Sequence, residues 1–199
     1  MARNSGLSDE LARFVVDCDS GTSGLEAQAF RSIMSSFPSG VVVVTTVDES
    51  GVPVGMTCSA TCSVSQNPPM LLVCIDSRST VLRAMLARGQ FVVNFLRGDG
   101  ERISRVFAST GRDRFGSVAW QPSRLGGLPW MPLDTIAYAE CEVAAAVEAG
   151  DHTVVFGALM DGQAEGGRLS PLMYWRRRYG RWPVEADDAT TLMTLAAEG

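Results

Sequence analysis

The stretch from Val41 to Val47, Val-Val-Val-Val-Thr-Thr-Val, constrains the fold more than any other feature, because every one of its residues is β-branched. Such side chains are stiff at χ1 and pack well on a pleated surface, so the run is a strand. Asp48-Glu49-Ser50-Gly51 follows it with turn residues, which makes a hairpin with what comes next. Residues 53–64 and 70–75 read as two more strands, separated by Asn67-Pro68-Pro69, since proline cannot donate to a ladder. Gln90 to Leu96 is another. From Ile136 to Val147, Cys141, Val143, Ala145 and Val147 oppose Glu140, Glu142 and Glu148, the alternation of a strand with one wet face. Gly150-Asp151 turns the chain, residues 152–160 return, and Leu172 to Trp175 form a last short strand. Many short strands joined by tight turns imply a mainly β fold, a closed or nearly closed antiparallel barrel with a few helices, rather than a doubly wound parallel sheet.

Three helices are expected. Leu25, Ala29, Phe30, Ile33, Met34 and Phe37 fall at helical spacing before Pro38 and Gly40 end the pattern. Ser79 to Ala87 carries Val81, Leu82, Met85 and Leu86 on one side and stops at Gly89, and Ile103, Val106 and Phe107 mark a third. At 199 residues the chain fits one domain, placed at 25–182. Residues 1–24, polar and rich in Ser, Gly and Asp, read as a flexible lead-in; 183–199 reads as a tail, either a docking helix or frayed.

Composition excludes several classes. A net charge of -5 leaves no broad basic face for nucleic acid or an anionic membrane, and Arg176, Arg177, Arg178 and Arg181 make the one basic cluster. No run approaches a membrane span and residues 1–24 lack a signal's apolar core, so the cytoplasm is expected. Five cysteines without such a signal favour reduced thiols; Cys58 and Cys62, if on one strand, stand ~13 Å apart and read as buried small hydrophobes. One histidine excludes a histidine-rich metal site, and no metal is expected. Neither G-x-G-x-x-G after a strand nor G-x-x-x-x-G-K-[ST] is present, and no G-x-S-x-G supports a hydrolase triad through His152. Thr57, Ser59, Thr61, Ser63 and Ser65 alternate, which aims their hydroxyls to one side as a solvated face or a ligand-binding wall.

Seven ordered segments carry a family resemblance: Phe30-Arg31-Ser32-Ile33-Met34, Gly40 to Thr46, Pro53 to Ser59, Ser63 to Pro69, Phe91 to Leu96, Gly150-Asp151-His152 and Pro171-Leu172-Met173-Tyr174. Over about residues 26–182 the chain resembles the short-chain flavin reductase family. The resemblance implies a homodimeric FMN-binding split barrel of antiparallel, Greek-key-like strands. It implies hydride transfer from NADH or NADPH to FMN or FAD, and delivery of reduced flavin to a separate flavin-dependent monooxygenase. A flavin- or haem-binding carrier on the same barrel, or a flavoenzyme that holds its flavin tightly and acts directly on an organic substrate, are the alternatives.

By the same resemblance Pro53, Val54, Gly55, Met56, Thr57 and Ser59 lie along the flavin ring and ribityl chain. Gly55 would allow close backbone approach to a flat ring, or else merely relieve a strand bend. Cys74, Ile75, Asp76, Ser79 and Thr80 match the next flavin-contacting stretch; Ser79 and Thr80 begin a helix, whose free N–H groups and positive end suit a phosphate, with Arg78 adding charge. Read without the family, Ser79 is an N-cap. Val106 and Phe107 match a further flavin contact, although their helix needs apolar residues there anyway. His152 is the candidate catalytic residue, orienting the nicotinamide or donating a hydrogen bond near the reacting ring, or else a structural turn histidine. Tyr174, Trp175, Arg176, Arg177 and Tyr179 match the nicotinamide-nucleotide segment, where aromatic faces stack and arginines grip phosphate. The triple arginine departs from the family, which more commonly has a small residue there, and suits the extra phosphate of NADPH.

Overall fold

Asp48 makes the first hairpin: one of its carboxylate oxygens accepts the N–H groups of Ser50 and Val52, each at 2.9 Å, while Gly51 takes φ 77. In the computed structural model, which describes residues 14–16, 26–111, 113–166 and 169–182, this turn joins β3 (Val42–Val47) to β4 (Pro53–Cys58). Ahead of them lie β1 (Phe14–Val16), α1 (Ala27–Met34) and β2 (Ser39–Gly40). After them come β5 (Thr61–Gln66), β6 (Pro69–Asp76), α2 (Thr80–Arg88), β7 (Gln90–Leu96), α3 (Glu101–Ala108), β8 (Gln121–Pro122) and β9 (Pro129–Trp130). β10 (Thr135–Ala149), β11 (His152–Ala164), β12 (Leu172–Trp175) and β13 (Arg178–Arg181) complete the chain.

The main sheet runs β4-β3-β7-β10-β11-β6-β5, with β1 parallel to the end of β10. Its two outer strands, β4 and β5, are consecutive in the sequence, joined only by Ser59 and Ala60. That crossing closes the barrel: the Cys74 N–H on β6 donates to the Ala60 carbonyl at 2.9 Å, and Cys58 Sγ at the end of β4 reaches the Cys74 carbonyl at 3.6 Å. Residues 53–64 are therefore two strands at opposite ends of the sheet, not the single strand expected from their composition. The alternating hydroxyls do not share one face either. Thr57 donates to Ser104 on α3, Thr61 donates to Leu72 on β6, and a register shift lies between Ser63 and Ser65.

The barrel interior is filled by Val42, Val44, Val73, Ile75, Phe91, Val93, Cys141 and Val155, with Leu82 and Met85 of α2 plugging it. Alternate residues of β3 point outward, where Val41 and Val43 join Leu96, Ile103, Phe107, Met131 and Leu172 in a second cluster under α3 and the small β13-β12-β2 sheet. Both faces of β3 are covered, which is why it has no polar alternation. Asn94, fully buried, donates to the Val43 carbonyl and to Thr45 Oγ1, each at 3.1 Å, and accepts from the Met131 N–H.

Several expectations change. The first helix spans only Ala27–Met34 and buries none of its residues; Phe30, Ile33, Met34 and the following Phe37 are exposed. Phe14–Val16, inside the stretch read as a flexible lead-in, pair with Val147–Ala149; the rest of that stretch, with Cys18, and the 183–199 tail lie outside the described residues. Glu140 is not on a wet face but 1% exposed, because the Ser123–Leu128 turn folds over it and the Leu125 and Gly126 N–H groups donate to its carboxylate. Cys58 is buried as expected, but Cys62 is exposed on the far strand. β13 was not anticipated, since two arginines and a glycine around a single tyrosine carry no strand pattern. Among the described residues no helix is long and apolar enough to cross a membrane.

Two outcomes test this packing. A Cβ on Gly157 would stand 2.5 Å from Phe91 Cζ and 2.9 Å from Cys141 Cβ, so Gly157→Ala is expected to lower the urea unfolding free energy by about 1–3 kcal/mol. Burial pushes the Cys141 thiol up to about 12, so in the folded protein Cys62 should be labelled by a thiol reagent ahead of Cys58, Cys74 and Cys141, and Cys141 should stay unlabelled until denaturation.

Candidate functional site

As the terminal strand of the sheet path, β4 bonds β3 along one edge and leaves the other open. Arg114 Nη1 donates to the Gly55 carbonyl at 2.5 Å, so the peptide groups of Gly55 face that open edge. Bonded and non-bonded pairs alternate in an antiparallel ladder, which turns the peptide groups of Thr57 the same way. Gly55 itself has a packing reason: a Cβ there would meet Phe107 Cε1 and Thr45 Cγ2, each at 3.0 Å. The missing side chain makes room for α3, and it is the edge rather than the face of the strand that is open.

The Thr57 side chain is tied back. Its hydroxyl donates to the Ser104 carbonyl at 2.6 Å, and the Ser104 hydroxyl, fully buried, pairs with Tyr179 Oη at 2.9 Å. Tyr179 also carries Arg105 over its ring at 5.2 Å and packs on Tyr174, ring centres 5.1 Å apart. One chain of contacts thus joins β4, α3 and the β12–β13 hairpin.

Beside the open edge, α2 begins. Ser79 caps it, its hydroxyl accepting the Val81 N–H at 3.2 Å and reaching Met56 Sδ at 3.5 Å. Pro53, Val54, Thr80, Gly111, Arg114 and Phe115 line a cavity of about 230 Å³ between this helix start and the loop after α3. Arg114 Nη2 donates to the Ser109 carbonyl, while its Nε is buried without a partner. Free helix-start N–H groups and a guanidinium around one cavity suit an anion.

A rim of charge lies where β6 ends and β11 begins, with Asp76 paired to His152 in the ladder. Arg78 donates to the Asp76 carboxylate from Nε and Nη2, at 3.0 and 2.7 Å, and holds it well below the usual carboxylate range. His152 Nδ1 lies 2.7 Å from Asp151 Oδ1, and this bond lowers the Asp151 carboxyl; the imidazole remains about half exposed. Ser77 ties the rim down, its hydroxyl 3.0 Å from that of Thr153 and its N–H on the Asp151 carbonyl.

Of the residues expected at a ligand, Pro53, Val54, Gly55 and Thr80 meet in the cavity wall, Met56 and Thr57 continue the same strand, Ser79 caps the adjoining helix, and Asp76 and His152 pair with each other on the charged rim. Ser59 is exposed at the barrel corner and Cys74 half-buried beside it. Ile75 is fully buried inside the barrel, so its side chain cannot touch a ligand. Phe107 is buried as well, edge-on to Phe115 with ring centres 5.0 Å apart, and Val106 packs against the same cluster, so their role is to support the wall. Tyr174 and Tyr179 face α3, whereas Trp175, Arg176 and Arg177 are exposed at the hairpin tip. Arg114 and Ser104 were not singled out: the first sits in an irregular loop without periodicity, and the second is an ordinary helix serine until packing buries it. Among the described residues no group of three or more His, Cys, Asp or Glu side chains is placed to hold a metal.

Residues 34–183 match the flavin reductase like domain. The chain belongs to the flavin reductase family. It is 55% identical over 175 residues to the flavin reductase (NADH) of Kitasatospora aureofaciens, covering 88% of this chain and 92% of that one. It is 39% identical over 170 residues to the flavin reductase (NADPH) of Lentzea aerocolonigenes, covering 85% and 98%. Others among the family's members are named as reductase subunits of flavin-dependent monooxygenases. Its fold is similar to that of the NADH:FAD oxidoreductase of Streptomyces globisporus C-1027, solved with NAD and FAD fragments, at a TM-score of 0.75 and 29% identity over 80% of this chain and 94% of that one.

The tie through α3 has a measurable signature. Thr57→Val and Tyr179→Phe each remove one hydrogen bond to Ser104 and should each cost about 0.5–1.5 kcal/mol in urea unfolding. Because both act on one residue, the double variant should lose less than the sum of the two.

Proposed function

We propose that this chain is an NAD(P)H:flavin oxidoreductase that reduces FMN or FAD with NADH or NADPH and supplies reduced flavin to a partner monooxygenase. The observation that carries the reading is the meeting of an open strand edge, a helix start and the Arg114 guanidinium around one cavity. The residues fit a flavin nucleotide. Arg114 Nε, buried and unpaired, and the N–H groups of α2 suit its phosphate, while the Thr57 N–H on the open edge suits the polar rim of its ring. At about 230 Å³ the cavity is smaller than the ~300 Å³ and upward of a whole-ligand pocket, so it takes the phosphate end and leaves the ring over Met56, Thr57 and Ser59.

A flavin bound there would supply the hydride acceptor for a reduced nicotinamide. The chain's own contribution is alignment, since reacting atoms must be held at ~3–3.5 Å. Thr57, tied through Ser104 to Tyr179, sets the flavin strand against the hairpin that presents Trp175, Arg176 and Arg177 to the nucleotide, with Tyr174 packed beneath them. His152, held by Asp151 and with half its surface free, is the hydrogen-bonding group at the nicotinamide end. Asp76, kept ionised by Arg78, borders the same end.

The same reading makes the working form a homodimer in the cytoplasm. A groove of about 700 Å³ between β5, β6, β10 and β11, with Met70, Leu71, Phe95, Leu159 and Met160 in its wall, supports self-association. The exposed cysteine is in keeping with a reducing compartment.

Mixing the protein with NADH or NADPH and free FMN or FAD should give steady loss of absorbance at the nicotinamide band; no loss with any of the four pairs would sink the reading. Arg114→Met should weaken flavin binding about tenfold or more in a fluorescence titration, corresponding to ~1.4 kcal/mol.

A further inference from the structure

We propose that Arg176 and Arg177, at the tip of the β12–β13 hairpin, select NADPH over NADH by gripping the phosphate that NADPH carries on its adenosine ribose. The inference rests on the reading that the chain uses a pyridine nucleotide, and it names which one.

Trp175 pairs with Arg178, so Arg176 and Arg177 are the two central residues of a tight turn. Both stand in the left-handed region, at φ 47 and 62. A turn of this kind strongly favours Asn-Gly, and each side chain held there costs roughly 1–2 kcal/mol. Elsewhere among the described residues the chain follows the rule, since all the other positive-φ positions, the turns at Gly51, Gly127 and Gly150 and the helix stop at Gly89, are glycine. The two exceptions are adjacent and both are arginine. A strained pair kept where glycine is free of cost points to a use for the side chains.

Those side chains are available and held in place. Arg176, Arg177 and Arg178 are exposed, and no ion pair among the described residues engages them, in a protein of net charge -5. The tip is anchored from below: the Arg176 N–H donates to the Ser35 carbonyl at 3.0 Å and the Trp175 indole to Ser36 at 3.1 Å. Arg176 lies over the Trp175 ring at 4.7 Å, which fixes its plane and leaves its edge N–H groups to a ligand. The other end of the hairpin enters the site, because Tyr179, two residues or about 7 Å along β13 from Arg177, joins Ser104 and through it Thr57.

NADPH and NADH differ only in the ribose phosphate, so a group that discriminates must meet that dianion. A guanidinium offers forked donors matched to phosphate, and two side by side supply both charges. The 55% identical relative described above is named for NADH and the 39% identical one for NADPH, so both nucleotides are used within the family and its membership does not fix the choice. The other anion that could meet this tip is an acidic face of a partner oxygenase.

The test is R176N/R177G, which installs the pair the turn prefers and therefore folds at least as well as the parent. With flavin saturating, wild type should show a higher kcat/KM for NADPH than for NADH. In the variant the NADPH value should fall at least ten times further than the NADH value. Calorimetric titration with adenosine 2′,5′-bisphosphate, which needs no turnover, should show binding to wild type and a loss of tenfold or more in the variant. Equal losses for both nucleotides, or an unchanged bisphosphate affinity, would overturn the proposal. Weaker coupling to an oxygenase with an unchanged nucleotide ratio would also overturn it and assign the tip to protein docking. Absence of any nicotinamide oxidation by wild type would instead defeat the reductase reading.

Discussion

The two-residue crossing at Ser59 and Ala60 carries the architecture. It takes the chain from one end of the sheet to the other, and the Cys74 N–H on the Ala60 carbonyl locks the closure. Closing a barrel removes its edges, but here the seam meets only at the end of β4. The first half of that strand is left with one set of peptide groups outside the sheet ladder, and the start of α2 and the Arg114 loop stand against it, Arg114 donating to the Gly55 carbonyl. A folding necessity and the surface proposed to bind flavin are the same piece of backbone.

Around that edge α3 works as a spacer. Phe107 fills the place where a side chain at residue 55 would go, Ser104 takes the Thr57 hydroxyl, and Tyr179 takes the Ser104 hydroxyl. The strand proposed to carry the flavin and the hairpin proposed to carry the nucleotide are thereby set at one distance by buried bonds. Buried polar groups are costly unless paired, so this spacing resists drift.

Most strands were legible because their signals are local: β-branching in Val42–Val47, the Asp48 turn, and the stretch Gln90–Leu96, whose bounds agree to the residue. The helix cap at Ser79 and its glycine stop at Gly89 were legible for the same reason. What failed was non-local. The 53–64 run reads as one strand, since nothing in Ser59-Ala60 announces a change of sheet partner. Glu140 reads as solvated, since its neutralising N–H groups come from a turn fifteen and fourteen residues earlier. The apolar spacing of Phe30, Ile33, Met34 and Phe37 is real, but periodicity says that a face is apolar and not what covers it.

By itself the sequence determined the class of fold, the start of α2 and the family, because ordered motifs and turn chemistry are written in neighbouring residues. Tertiary structure decided which of the expected site residues line the cavity. It turned Ile75 and Phe107 inward, opened the peptide edge at Gly55 and Thr57, and brought in Arg114 and Ser104. Those assignments depend on the direction of a side chain relative to elements far away in the chain, and barrel closure sets that direction only when all the strands are in place.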